Sequence, residues 1–109
     1  MSFRIVLHGN FEREARPLLK RYRSLAVELS VLRDGLKLDP RQGQPIGNDC
    51  YKIRVAIKSK AKGKSGGARV ITCVVAVREE VYLLSIYDKS EQSTLTDRRL
   101  KELLKLVPR

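Results

Sequence analysis

Apolar and polar residues change period several times along this chain, and each change marks an element. Phe3, Ile5 and Leu7 alternate with Ser2, Arg4 and Val6, which predicts a short strand. Gly9-Asn10 ends it, and Asn10 is a candidate helix cap because its side-chain oxygen can accept a first-turn N–H. Phe11, Ala15, Leu18, Leu19 and Tyr22 then recur at helical spacing. Pro17 falls inside that pattern, where a proline removes a hydrogen bond and clashes with the previous turn at a cost of about 3 kcal/mol. The helix therefore kinks there or starts late. Ser24 caps a second helix with a stripe of Leu25, Leu29, Leu32 and Leu36, and Asp39-Pro40 stops it. Residues 40–48 carry two prolines and two glycines and read as a loop.

The period then returns to two. Over residues 50–57, Tyr51, Ile53, Val55 and Ile57 fall on one face, while Lys52, Arg54, Ala56 and Lys58 fall on the other. A basic loop follows, from Lys58 to Gly67. Arg69 opens an apolar strand running to about Val77, Arg78-Glu79-Glu80 turns the chain, and Val81 to Tyr87 form the last strand. After polar residues 88–93, Thr94 or Thr96 caps a final helix carrying Leu95, Leu100, Leu103, Leu104 and Val107. The predicted order is β-α-α-β-β-β-α. Three strands with short links imply an antiparallel meander. Helices on either side of it in sequence should cover one sheet face, an α+β arrangement. Length and the absence of repeats fit one domain spanning residues 1–109.

Composition narrows the partner. The chain has 23 Lys and Arg against 12 Asp and Glu, a net charge of +11, and a field of that sign attracts polyanions. No apolar run approaches the ~20 residues that span a bilayer, and the N-terminal apolar stretch is too short for a secretion signal. A cytoplasmic, membrane-free protein is expected. Cys50 and Cys73 then read as buried thiols rather than a disulfide. One histidine and two isolated cysteines do not match a zinc site, so no metal or other cofactor is expected.

The charge is also unevenly placed. From Cys50 to Arg78 there are eight basic residues, Lys52, Arg54, Lys58, Lys60, Lys62, Lys64, Arg69 and Arg78, and no acidic one. Lysines do protect sheet edges from aggregation, but ordinary surfaces mix both signs. A one-sided field suits phosphates, with counterion release favouring binding. Gly63-Lys64-Ser65 is not a nucleotide-binding P-loop, because position 58 is Lys where that motif needs Gly and the loop precedes a strand. A single histidine, His8, rules out a two-histidine ribonuclease. RNA supplies its own nucleophile, however. A protein that aligns the 2′-hydroxyl and neutralises the phosphorane can cleave RNA without metal. Arginine suits the phosphate oxygens, and lysine or tyrosine can move protons. Tyr51 and Tyr82 read as core residues; Tyr87, at a strand end, could also stack on a base.

Three strings, Asp49-Cys50-Tyr51-Lys52-Ile53-Arg54, Gly67-Ala68-Arg69-Val70-Ile71 and Leu84-Ser85-Ile86-Tyr87-Asp88-Lys89-Ser90, together with the element order, resemble the RelE/ParE superfamily of bacterial toxins. The resemblance covers nearly the whole chain. It implies that Lys52 and Arg54 stand where RelE toxins bear two catalytic lysines, with Arg54 keeping charge but donating protons poorly. It implies that Arg69 stabilises the transition state and that Lys89 stands near a second family arginine. RelE places a catalytic tyrosine in its last helix; this chain offers Leu95 there, which leaves Tyr87 as the candidate. The implied activity is ribosome-dependent endoribonucleolytic cleavage of mRNA without metal, leaving a 2′,3′-cyclic phosphate, in a toxin held by a cognate antitoxin. Lys58, Lys60, Lys62, Lys64 and Arg78 are then expected to bind RNA phosphates. The rival expectations are a ParE-like inhibitor of DNA gyrase and a non-enzymatic RNA-binding module.

Overall fold

The computed structural model describes residues 2–60 and 66–109, so Lys62, Lys64 and the Gly63-Lys64-Ser65 string lie outside the described residues. The elements are β1 (Arg4–Leu7), α1 (Gly9–Arg21), α2 (Leu25–Leu38), β2 (Gln44–Gly47), β3 (Cys50–Val55), β4 (Ala68–Val75), a 3-10 turn (Ala76–Arg78), β5 (Glu80–Asp88) and α3 (Asp97–Leu104). They form an α+β fold around one five-stranded sheet in the order β1-β5-β4-β3-β2. β3, β4 and β5 make the expected antiparallel meander, and β1 joins β5 in parallel.

Two parts of the architecture differ from the sequence expectation. The segment read as a loop contains β2, which pairs with β3 through a two-residue turn at Asn48 and Asp49. Both turn residues have positive φ, 57° and 61°, the backbone that matches strand twist in a tight hairpin. Pro45 is tolerated because β2 is an edge strand and needs no ladder N–H there. Nor do the helices share one face. Phe11, Ala15 and Leu18 of α1 and Leu25 and Leu36 of α2 pack on one side, against Ile53, Val55, Val70, Val74, Val81, Leu83 and Ile86. On the other side, Leu100 and Leu103 of α3 and Val107 pack against Cys50, Ile71, Cys73, Val75, Tyr82, Leu84 and Tyr87. A sheet buried on both faces explains why every residue of β4 and β5 is buried. Leu25 and Leu36 are fully buried, each contributing about 2 kcal/mol relative to exposure.

A bulge in β5 has a consequence for the site. Ile71 pairs with Ser85 and Thr72 with Leu83, so Leu84 is an extra residue. Past it the alternation inverts: Ile86 turns toward α1 and α2, and Tyr87 turns toward the α3 side. Glu14 Oε1 secures the bulge by accepting the Ser85 hydroxyl at 2.7 Å and the Ile86 N–H at 3.3 Å.

The caps also depart in part. α1 is capped by His8, not Asn10: His8 Nδ1 accepts the Asn10 N–H at 3.0 Å, and Nε2 lies 3.2 Å from the Leu103 carbonyl. These contacts fit a neutral ring that donates from Nε2, and they give the only histidine a structural place. α1 runs through Pro17 on its exposed side, where water can reach the freed carbonyl. Ser24 begins α2 as expected, but its hydroxyl engages Glu28 and Ser59 instead of the first-turn amides. Thr96 caps α3 by accepting the Arg99 N–H at 3.2 Å.

Candidate functional site: a cationic cleft at the open end of the sheet

α3 covers only part of its face. Where it stops, β2, β3, β4 and the segment after β5 leave a cleft of about 380 Å³ lined by Gly43, Gln44, Lys52, Arg54, Arg69, Lys89 and Ser93. Strand alternation puts Lys52 and Arg54 there, because Ile53 and Val55 on the same strand take the opposite, core side. Register then stacks the cations. Arg54 is directly opposite Arg69, and Arg69 is directly opposite Tyr87 on its other side. Two glycines shape the margins: a Cβ on Gly43 (φ 95°) would lie 2.5 Å from the Lys52 carbonyl oxygen, and one on Gly67 (φ 59°) 2.5 Å from that of Val55.

The electrostatics are one-sided. Like charges directly opposite each other destabilise a strand pair, yet Arg54 and Arg69 are so placed. Among the described residues, none of Lys52, Arg54, Arg69 and Lys89 forms an ion pair with a carboxylate. Arg69 is only 9% exposed and is anchored by neutral carbonyls, those of Gly66 and Ala68, each 3.2 Å from Nη1. A buried guanidinium held without a counter-anion leaves its fork available to a ligand that brings negative charge.

Tyr87 shares this row but not the cleft lining. It is buried, and its hydroxyl is one of two buried side-chain polar atoms without a hydrogen bond among the described residues, Thr72 Oγ1 being the other. Burial pushes its phenol pKa up, and Thr94 and the Arg69 charge offset this only in part, so the phenol stays protonated.

The expected phosphate contacts divide. Lys58 is exposed and its amine makes no ion pair among the described residues; only its backbone N–H is engaged, to Glu28 Oε2 at 2.6 Å. Lys60 is engaged within the fold. Its Nζ donates to Asp88 Oδ1 at 2.8 Å and to Ser90 Oγ at 3.2 Å, and its side chain is 13% exposed. Asp88 is buried, which alone would raise its pKa, but Lys60, Tyr22 and Ser90 together hold it well below the usual carboxylate range. Arg78 is engaged as well. It lies beyond the far end of β4 and pairs with buried Glu80 at 2.8 Å. Val75 is seven residue steps from Ala68, roughly 23 Å of strand.

Sequence reasoning missed Gln44 and Ser93. Gln44 faces Lys52 across the β2–β3 pair, and the Asn48-Asp49 turn signal was the means of finding it. Ser93 lies in irregular chain and carries no comparable signal. Among the described residues, no group of three His, Cys, Asp or Glu side chains is placed to hold a metal ion, and no helix is long and apolar enough to cross a membrane.

No protein-family model matches this sequence. The fold is similar to that of the E. coli toxin RelE, solved as a double arginine-to-alanine mutant in the free state. The TM-score is 0.62 with 19% identity, over 99% of this chain and 100% of that one. The RelE-like α+β fold expected from the sequence is therefore present.

Proposed function

We propose that this protein is the toxin of a toxin–antitoxin pair and a ribosome-dependent endoribonuclease that cleaves mRNA without metal. The observation that carries this reading is the convergence of Lys52, Arg54, Arg69 and Lys89 on one cleft with, among the described residues, no carboxylate paired to them. An anionic, extended ligand meets that arrangement, and a phosphodiester gains charge as it becomes a phosphorane.

In the proposed reaction the 2′-oxygen attacks phosphorus as its proton leaves, and the bond to the 5′-oxygen breaks as that oxygen gains a proton. The products are a 2′,3′-cyclic phosphate and a 5′-hydroxyl. Arg69 and Arg54 hold the non-bridging oxygens, which charged forks do bidentately. Lys52, beside them on β3, carries the proton transfer that Arg54 is too basic to perform. Lys89 closes the rim, and Tyr87 flanks Arg69 on the side away from Arg54. Lys58 adds a phosphate contact outside the cleft.

A cognate antitoxin has a candidate seat elsewhere. Ile5, Leu7, Phe11, Ala15, Leu19 and Leu29 line an apolar groove of about 410 Å³ between α1, α2 and β1, with Arg16, Arg33 and one carboxylate, Glu12, on its border. Val27 and Val31 remain exposed on α2. An amphipathic segment with acidic flanks complements such a surface.

Primer extension on a defined mRNA, with and without programmed ribosomes, tests the reading; the free-RNA arm contains EDTA. Cuts within codons only when ribosomes are present, and lost in Arg69→Ala, are the expected result. Cuts in free RNA would remove ribosome dependence. Intact mRNA in both arms, with inhibited supercoiling by gyrase, would replace this reading with the ParE-like one.

A further inference from the structure

We infer that Cys50 and Cys73 form a peroxide-oxidisable dithiol that closes to a cross-strand disulfide beside the cationic cleft. The two are direct partners in the β3–β4 register. Such partners have Cα atoms about 4.5–5.5 Å apart, within the span of a disulfide. They project to the same face, and both thiols are free and buried.

Their surroundings are not those of inert core thiols. Cys50 Sγ donates to the Asn48 carbonyl at 3.4 Å. Arg109 Nη1 donates to that same carbonyl at 3.0 Å and to Cys73 Sγ at 3.4 Å. A guanidinium held against a sulfur favours the thiolate, the reactive form. The neighbouring Cys50 thiol and then Arg109 hold Cys73 below the ordinary thiol range, against burial and the charge of Asp49. Cys50 is pushed up, by Cys73 and by burial. The pair is thus asymmetric: Cys73 attacks and Cys50 resolves.

With hydrogen peroxide as oxidant, the Cys73 thiolate bonds to one peroxide oxygen and the O–O bond breaks. The departing hydroxide takes a proton and leaves as water, with Cys73 now a sulfenic acid. Cys50 sulfur then attacks Cys73 sulfur; the S–S bond forms, the S–O bond breaks, and a second water departs with the Cys50 proton. Two thiols are oxidised and one peroxide is reduced to two waters. Access requires lifting residues 105–107, which pack over this cluster through Val107 and are held by single-turn hydrogen bonds of 3.1–3.3 Å. The bond would pin the same register that sets Arg54 opposite Arg69.

The test treats the purified, folded chain with hydrogen peroxide and follows intact mass and non-reducing peptide maps. The expected result is loss of two hydrogens, a Cys50–Cys73 crosslinked peptide, and reversal by dithiothreitol. Cys50→Ser should accumulate a dimedone-reactive sulfenic acid at Cys73. Arg109→Ala should slow oxidation about tenfold, with Arg109→Lys recovering most of the rate. Reaction only after unfolding in urea, separate over-oxidation without a crosslink, or an unchanged or raised rate in Arg109→Ala would each overturn the inference. None of these readouts uses RNA cleavage.

Discussion

At one end of β4, Arg78 meets a buried carboxylate; at the other, Arg69 meets a second arginine. The Glu80 carboxylate is almost wholly buried and accepts Arg78 at 2.8 Å, the Tyr82 hydroxyl at 3.0 Å, and Arg4. Those arginines stay partly exposed, so the pairing costs little desolvation on their side. At the cleft end, the mostly buried guanidinium of Arg69 lies between Arg54 and Tyr87 with only neutral acceptors. The same residue type near the two ends of one strand thus serves two purposes. Where charge is internally matched it fastens the fold, and where it is left unmatched it can be neutralised from outside. The local rule against like-charged neighbours is broken at only one of these ends, and functional sites are where such breaks are expected.

The two ends of β4 should differ most when Arg69 is replaced. Arg69→Ala should lower RNA cleavage by about a hundredfold or more, as loss of a transition-state donor does. Its thermal midpoint should be unchanged or raised, because the repulsion with Arg54 is relieved; a large fall in midpoint would place Arg69 with the structural arginines. Lys60→Met should show the opposite pattern, losing about 2 kcal/mol in urea unfolding because buried Asp88 loses its nearest cation and keeps only Arg21 at 3.6 Å. Since the folded pKa of Asp88 is depressed, its stabilisation is complete above an unfolded value of about 3.9 and is lost as pH falls through the lower folded value. Asp88→Asn should therefore flatten the acid limb of a stability–pH curve. Glu80→Gln should cost about 2 kcal/mol of stability, the scale of hydrogen bonds to a charged group, with cleavage per folded molecule unchanged. The smallest effect belongs to Lys58→Ala: RNA affinity should weaken slightly, with the salt slope of binding reduced by about one.

How far the sequence could be read depended on the range of the forces involved. The alternation around Ile53 separates Lys52 and Arg54 from the core by local geometry alone, and the structure places both in the cleft. Arg69 was legible as the one charge opening an apolar strand. Lys60 was not, because its partner Asp88 lies 28 residues away and nothing local distinguishes it from Lys58. Arg78 differs, since its partner Glu80 is only two residues on, and the run without acidic residues ends just before that carboxylate. β2 was hidden by Gly43, Pro45 and Gly47, residues that normally argue against a strand and are tolerated here at a sheet edge. The facing of Ile86 and Tyr87 depends on a bulge at Leu84, visible only in the pairing of β4 with β5. That bulge also turns Tyr87 toward Arg69 while burying it, so its strand-end position overstated its access.

The parallel pairing of β1 with β5 bears on how the chain assembles. Arg4 is matched with Glu80, 76 positions on, whereas β3, β4 and β5 follow one another directly. Contacts between distant segments form slowly, because a long loop must close before any of its gain is realised. The meander and the Arg54–Arg69 row should therefore be in place while the free edge of β5 still waits for β1. During that interval the edge exposes unpaired backbone of an apolar strand, a template for association with other copies. Refolding at rising protein concentration should lose yield in this window, before the first strand returns to close the sheet.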